Sequence, residues 1–340
     1  MSNSFGNKLV YTDTVKRIHF PYHELDDLAK VPHEIVIADH KGGFNENFYN
    51  SILAKLDLFA KQNNFSYTIY TWEYYPPKIK NLYSNLNFIM SMELFEQRNS
   101  LNEFTRFKNY KDQSFEKFLC SFNGTNQSGR VLLVSALNKL KFFDKETCSK
   151  NFSMIPGQVD SIIAEYLPDQ TKFYRKFFVD NESDFESQII KFGDYGRWSD
   201  KNNWQHIYEM SGSKISRCFL HLVSETCSLS YYPFVTEKFL LSVINKGLFL
   251  AYAQPGYHAH LEESYGFKPY GKLFDYSFDN ILNPVKRLLA LLDMISKFQH
   301  LKTYDWHDLY HIELDTINYN YDHYFSGDYK KSIAAQADWP

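Results

Sequence analysis

Three consecutive side chains, those of Thr236, Glu237 and Lys238, place a hydroxyl, a carboxylate and an ammonium group ahead of an apolar run. Thr236 suits a helix N-cap and Glu237 suits the positive end of a helix dipole, so the sequence predicts a helix over residues 236–246. The free N–H groups of a helix amino terminus attract anions, and Lys238 in the first turn adds a positive charge. We therefore expect a pyrophosphate site here, although the same residues also suit an ordinary helix start with solvated side chains.

Two further polar residues precede this motif at the end of an apolar segment. Residues 217–223 predict a strand, and Ser224 and Glu225 follow it directly. Ligands of open parallel sheets bind beyond the carboxyl ends of the strands. We therefore expect Ser224 and Glu225 to contribute to the same site, with Glu225 accepting hydrogen bonds from the hydroxyl groups of a sugar or a ribose.

The elements that must position these residues alternate between strands and helices. Consecutive β-branched residues predict a buried parallel strand at 33–39, and apolar residues at helical spacing predict a helix at 44–61. The first half of the chain also contains predicted strands at 65–71, 87–93 and 117–122 and a helix at 130–141. The second half contains predicted strands at 217–223 and 248–253 and helices at 236–246, 257–265, 284–301 and 306–325.

This alternation is typical of an α/β protein, and it predicts two Rossmann-like domains that face a cleft. The weakly periodic stretch at about 170–214 contains the expected linker, so we expect the domains to cover residues 1–205 and 206–305. The remaining residues, 306–340, are expected to form a helix and a tail that pack back on the first domain.

The overall composition excludes several classes of protein. Of the 340 residues, 44% are hydrophobic and 23% are charged, so we expect a folded rather than a disordered chain. The net charge of −3 gives no basic excess of the kind that binds along a nucleic-acid backbone. Four cysteines without a C-x-x-C pair indicate reduced, mostly buried thiols. Because neither a signal peptide nor an apolar membrane span is indicated, we expect a cytoplasmic location.

The second half of the chain resembles the donor-binding half of a phage- and virus-type glycosyltransferase family. The matching motifs agree with the family in order and spacing: Glu225-Thr226, Thr236-Glu237-Lys238, Gly247, Leu261 with Gly266-Phe267, Asp275-Tyr276-Ser277-Phe278-Asp279, and Arg287. That family has the GT-B fold, in which two Rossmann-like domains face a cleft. The resemblance implies a nucleotide-diphosphate sugar as the donor, and a glycan or another hydroxyl compound as the acceptor.

A shorter resemblance lies in the first half of the chain. A strand that ends in Asn123 and a helix that begins near Arg130 are similar to the same family. However, Gly124 and Gly129 stand where an arginine and a histidine are common, so the phosphate or acceptor contacts of those side chains are in doubt.

The resemblance also implies roles for the charged residues. The α-1,3-fucosyltransferases share a related Glu…Thr-Glu-Lys block, which implies that Glu237 and Lys238 contact the ribose and the phosphates of the donor. Lys238, together with Arg130, is expected to neutralise the leaving nucleoside diphosphate. Because these groups supply positive charge, we expect neither a metal ion nor a cofactor besides the nucleotide-sugar substrate.

A general base would complete an inverting reaction at the anomeric carbon. Asp39 ends the first predicted strand and precedes a glycine-bearing loop, so it is the candidate for this role. His40 and Glu46 are alternatives. Asp39 equally suits a structural role as a loop or helix-capping carboxylate.

Two histidine pairs leave other interpretations open. His307 and His311 lie at i and i+4 on a predicted helix face, a spacing that zinc can use, but no third ligand is indicated. His258 and His260 are placed either to contact the base or the sugar, or only to cap the helix that follows. The alternative functions are sugar transfer to modified bases of DNA, non-catalytic binding of sugar nucleotides or glycans, and zinc-dependent hydrolysis.

Overall fold

Two parallel sheets of four strands each organise the structure. The computed structural model describes residues 9–12, 34–38, 46–71, 82–90, 112–178, 187–190, 204–226, 228–229, 233, 235–236 and 238–334. The sheets and the helices between their strands confirm the α/β class that the sequence predicts. Every helix among the described residues is too short or too polar to span a bilayer.

The first sheet contains β1 (Leu9–Thr12), β2 (Glu34–Ala38), β3 (Tyr67–Thr71) and β4 (Leu86–Met90). These strands lie in sequence order, and each pair of neighbours is parallel. Helix α1 (Glu46–Gln62) connects β2 to β3 and buries Leu53, Leu56 and Ala60 along one face. Of the residues whose spacing predicts this helix, Leu56 is buried and Phe59 is half-buried.

The second sheet contains β5 (Lys117–Asn123), β6 (Cys148–Lys150), β7 (Cys218–Ser224) and β8 (Phe249–Tyr252). Its strand order is β6–β5–β7–β8, and all neighbours are parallel. β5 and β7 pair directly, with Leu119 opposite Leu220. The boundary expected after residue 205 therefore does not separate the two sheets, because β5 belongs to the same sheet as β7 and β8.

Helices follow the strands of the second sheet along the chain. They are α2 (Ser128–Lys139), α3 (Gln158–Tyr166), α4 (Thr171–Phe178), α5 (Trp204–Ile215), α6 (Leu240–Ile244), α7 (Tyr257–Tyr265), α8 (Pro284–Gln299), α9 (Thr303–Ile312), α10 (Leu314–Ser326) and α11 (Asp328–Ala334). Helix α8 begins with a capping bond from the Lys286 N–H to the Asn283 side chain and has Pro284 at its first position. Helix α2 is buried continuously from Gly129 to Leu137, so it lies in the core.

The end of the chain forms two long helices where the sequence predicts one. They meet at Glu313, whose buried carboxylate accepts the N–H groups of Lys272 and Leu273 at 2.6 and 3.1 Å. The Trp306 ring of α9 stacks on Phe219 of β7 with ring planes 13° apart. These helices contact the second sheet, and Trp306 also lies beside Phe118 of β5, which belongs to the residues predicted as the first domain.

Three of the cysteines lie in the second sheet. Cys120, Cys148 and Cys218 are free and buried, which confirms the predicted thiol state for these residues. Burial raises the pKa of the Cys148 thiol to about 12, so this thiol is not a nucleophile at neutral pH. Cys227 lies outside the described residues.

Candidate functional site

Polar residues from separate parts of the chain meet at the carboxyl ends of β5 and β7. Arg130 lies in the first turn of α2, Glu225 and Thr226 directly follow β7, and Thr236 and Lys238 precede α6. These side chains form one hydrogen-bonded network, which we call the edge cluster. The sequence predicts four of its members as donor-binding residues; Thr226 is the fifth.

Glu225 is the centre of the edge cluster and is completely buried. Its Oε1 accepts hydrogen bonds from the Thr236 N–H at 3.1 Å and the Tyr257 hydroxyl at 2.9 Å. Its Oε2 accepts bonds from the Thr226 N–H at 3.0 Å and the Thr236 hydroxyl at 2.7 Å. A carboxylate has about four acceptor sites, so protein groups already supply the donors that the sequence analysis expected from a sugar or ribose.

Lys238 points back toward the end of β7 and not into bulk water. Its Nζ donates to Thr236 Oγ1 at 2.7 Å and to Thr226 Oγ1 at 3.0 Å, and it lies 3.7 Å from Glu225 Oε2. About a fifth of the side chain is exposed, at 19%. The ammonium group is therefore fixed by hydroxyl groups while part of the side chain stays accessible.

The helix predicted at 236–246 is shorter than expected. Helix α6 starts at Leu240 and has five residues. Thr236 does not cap it, because Thr236 donates both its N–H and its hydroxyl to Glu225. The predicted helix amino terminus at Thr236 is wrong, and the Lys238 side chain, not a helix end, supplies positive charge beside Thr236.

Arg130 brings a second positive charge to the edge cluster. Its guanidinium group donates to the hydroxyls of Thr125 and Thr226, the latter at 3.4 Å. Arg130 is 5% exposed, so its charge is largely removed from water. The Thr226 hydroxyl thus accepts hydrogen bonds from two cations, Arg130 and Lys238.

Several buried polar atoms beside the edge cluster have no hydrogen-bond partner in the part of the chain that the structure describes. They are Asn123 Oδ1 at the end of β5, Ser224 Oγ at the end of β7, and Ser228 Oγ in the following loop. An unsatisfied buried polar atom costs about 1–3 kcal/mol. Such atoms at the carboxyl edge of a parallel sheet are typical of a place where a ligand or water supplies the partner.

Gly129 is in close contact with the loop after β7. A Cβ atom at Gly129 would lie 1.8 Å from Ser228 Oγ and 3.1 Å from Ser228 Cβ. Ser228 therefore occupies the space that a side chain at position 129 would need. The glycine therefore permits close approach of the loop to the first turn of α2.

Arg287 fixes this loop from the opposite side. The buried guanidinium group donates to the carbonyl oxygens of Ser228 at 2.8 Å and Ala253 at 2.9 Å. It also donates to the carbonyls of Ile281 and Leu282, which precede α8. One side chain thus connects the loop after β7 to the end of β8.

His258 and His260 belong to the interior, which favours the structural interpretation. His258 Nε2 accepts the Ala251 N–H at 3.0 Å, and its Nδ1 lies 3.0 Å from Asp279 Oδ1. Burial lowers the pKa of His260 to about 3, and its Nδ1 lies 2.7 Å from Ser264 Oγ. Both rings therefore have partners within the protein.

The two histidines of the proposed zinc pair contact aromatic rings. The His307 ring lies 4.7 Å from the Phe115 ring, and the His311 ring lies 5.9 Å from the Tyr310 ring. Within the described ranges, no group of three or more histidine, cysteine, aspartate or glutamate residues could hold a metal ion.

Some predicted site residues lie where the structure gives no account of them. Asp39, His40 and Glu237 are outside the described residues. Glu46 is the first residue of α1. The base and ribose-binding roles assigned to these residues stay predictions.

The sequence did not identify three residues that complete the site. The Thr125 hydroxyl accepts a hydrogen bond from Arg130, and the Tyr257 hydroxyl donates one to Glu225. Ser228 packs against Gly129. Ser228 and Thr125 carry no recognisable sequence signal, since loop hydroxyls are common. Tyr257, at the start of a predicted helix after a strand, could have been identified by its position at the carboxyl edge of the sheet.

The chain was compared with family models, curated proteins and solved structures. No family model, no curated protein and no solved structure matches it. Function is therefore inferred from the residues and contacts of the edge cluster.

Proposed function

We propose that this protein is a glycosyltransferase that moves a sugar from a nucleotide-diphosphate donor to a hydroxyl acceptor. The observation that carries the proposal is the convergence of Arg130 and Lys238 on one hydroxyl oxygen, Thr226 Oγ1. The edge cluster holds these two cations against one carboxylate, that of Glu225 at 3.7 Å from Lys238 Nζ, and a diphosphate beside them would attract both cations. The motif resemblance agrees with this ligand class.

The surroundings of the two cations also favour an anion. Arg130 lies in the first turn of a 12-residue helix, α2, whose Gln127 N-cap makes no side-chain capping bond. The N–H groups of such a turn favour negative charge by about 0.3–1 kcal/mol when exposed. The loop that carries Ser228 packs on this turn and borders the same space.

The reaction follows from the charge that develops on the leaving group. The bond between the anomeric carbon and the diphosphate oxygen breaks, and the diphosphate gains negative charge. Arg130 and Lys238 stabilise that charge more strongly in the transition state than in the bound donor. The acceptor hydroxyl attacks the anomeric carbon and loses its proton to a general base, for which Asp39 is the candidate. Two Rossmann-like domains in a GT-B arrangement would place that base across a cleft from the donor.

Calorimetric titration with UDP, GDP and their sugar conjugates tests the proposal. We expect one nucleoside diphosphate to bind, and Lys238→Met to weaken its affinity about 10- to 100-fold, because a charged hydrogen bond contributes about 1.5–3 kcal/mol. The control is Lys268→Met, whose ammonium group lies over the Tyr319 ring at 3.9 Å. Unchanged affinity in Lys238→Met would contradict the proposed site.

Product analysis then separates an enzyme from a binding protein. Slow release of free sugar from the bound donor is expected of a glycosyltransferase without its acceptor. Binding without any release of sugar over a long incubation would instead support a non-catalytic sugar-nucleotide-binding protein.

A further inference from the structure

Glu225 is a buried carboxylate that lies against Thr226, Thr236 and Lys238 of the edge cluster. Its two oxygens accept four hydrogen bonds, from Thr226, Tyr257 and, twice, Thr236. Burial of a charged group is costly unless hydrogen bonds replace its water, and these four donors provide that replacement. Glu225 therefore has no acceptor site left for a hydroxyl group of the donor.

The bonds of Glu225 fix the direction of the Thr236 hydroxyl. A threonine hydroxyl has one hydrogen, and that of Thr236 is donated to Glu225 Oε2. The lone pairs of Thr236 Oγ1 are thereby left to accept the Lys238 ammonium group, as observed at 2.7 Å. If the hydroxyl hydrogen pointed the other way, it would repel Lys238.

The same carboxylate also fixes the hydroxyl shared by the two cations. The Thr226 N–H is donated to Glu225 Oε2, which holds the backbone that carries Thr226 Oγ1. Lys238 and Arg130 both donate to that oxygen. Glu225 thus controls the positions of both anchors of Lys238.

We propose that Glu225 is a positioning residue, which orients Lys238 toward the diphosphate through Thr226 and Thr236 and does not itself bind the donor. This inference rests on the proposed function of the site. It assigns to Glu225 a different role from the ribose or sugar contact that the sequence predicts.

Glu225→Gln tests this role because an amide has only one oxygen acceptor and replaces the other oxygen with an NH₂ group. Oε1 accepts the Thr236 N–H and Oε2 accepts the Thr226 N–H. Either orientation of the amide therefore sets an NH₂ group against a backbone N–H. The variant keeps the size of the side chain but breaks the pattern that fixes the two threonines.

A matched control exists in Glu313. It is also completely buried and accepts the N–H groups of Lys272 and Leu273 and the hydroxyl of Thr316. Glu313→Gln makes the same substitution at a buried carboxylate outside the edge cluster, but Glu313 Oε1 alone accepts both N–H groups, so an amide oxygen there can keep both bonds. Loss of a buried negative charge is therefore common to both variants, whereas the conflict with a backbone N–H group is confined to Glu225→Gln.

The experiment measures the binding of GDP, UDP, guanosine and uridine to the full-length protein and both variants. We expect Glu225→Gln to bind the preferred diphosphate at least tenfold more weakly than the wild type and the matching nucleoside within about twofold. Glu313→Gln should bind both like the wild type. Unchanged diphosphate affinity in Glu225→Gln, or an equal loss for diphosphate and nucleoside, would overturn the positioning role.

If Glu225→Gln does not fold, two variants of Thr236 test the same proposal. Thr236→Ser keeps the hydroxyl bonds, whereas Thr236→Val removes them and leaves the N–H bond. The proposal requires wild-type diphosphate affinity in the serine variant and a loss of at least tenfold in the valine variant. Equal affinities would contradict it. A wild-type protein that binds neither diphosphate would overturn the proposed function itself.

Discussion

Gly129 lies in a helix, where alanine would normally be preferred, but the loop that carries Ser228 packs too closely on it for a larger side chain. Alanine is favoured over glycine inside a helix by about 1 kcal/mol, but an alanine Cβ would overlap Ser228 Oγ at 1.8 Å. We expect Gly129→Ala to lower the free energy of unfolding by about 1–3 kcal/mol, as overpacking usually does. Chemical denaturation of Gly129→Ala, Ser228→Gly and the double variant measures this. Failure of Ser228→Gly to relieve the effect of Gly129→Ala would show that the contact is not its cause.

Residue types and spacing could predict the charged members of the edge cluster but not their bonding. Lys238 and Glu225 are in recognisable motifs, but their proximity to Arg130 depends on the pairing of β5 with β7, which the sequence places in different domains. The Thr236 bonds to Glu225 could not be predicted, because a threonine before an apolar run more often caps a helix. Tertiary contacts decided between these two roles.

At the scale of elements, the loop after β7 depends on a side chain from α8. Arg287 reaches four backbone carbonyls with a planar group, whereas lysine has a single ammonium group on a flexible chain. We expect Arg287→Lys to lose about 2–3 kcal/mol of unfolding free energy, since at least one charged hydrogen bond is lost. Urea denaturation measures the change. The neighbouring, exposed Lys286 provides the control, and Lys286→Met should stay within about 0.5 kcal/mol. A similar stability for both variants would argue against Arg287 as the anchor.

Most strands were predictable because buried parallel strands are runs of apolar residues. β2, β3, β5, β7 and β8 all coincide with such runs. The strand β6, Cys148–Lys150, was not predictable, since its three residues are mostly polar and their burial comes from pairing with β5. The membership of β5 in the second sheet also could not be read from sequence order, because pairing with β7 joins distant parts of the chain.

At the scale of the whole molecule, two buried histidines make stability depend on pH. Burial lowers the pKa of His221 and of His260 to about 3, from an ordinary value of about 6.5. Between these values the unfolded chain binds protons that the folded protein does not. The stability that comes from keeping both histidines neutral is therefore fully present above about pH 6.5. It is lost progressively as the pH falls toward 3.

Each of these histidines should contribute a slope of about 1.4 kcal/mol per pH unit in that range. Urea denaturation at pH 7.0, 5.5 and 4.5 measures the slope of the unfolding free energy. His260→Gln should reduce the slope by that amount, while replacement of the exposed His311 by glutamine should leave it unchanged. A slope in His260→Gln equal to that of the wild type would mean that His260 is not excluded from protonation in the fold.

The pairing of β5 with β7 determines when the second sheet can be completed during translation. The partner strand β6 follows β5 closely in the chain, but the partner at the other edge of β5 is complete only when residues 218–224 have been synthesised. Long-range parallel pairing forms slowly, and an open strand edge recruits other chains. The nascent protein is therefore most vulnerable to misassembly in the interval between these two strands, and codons that slow elongation there would lengthen its dependence on chaperones.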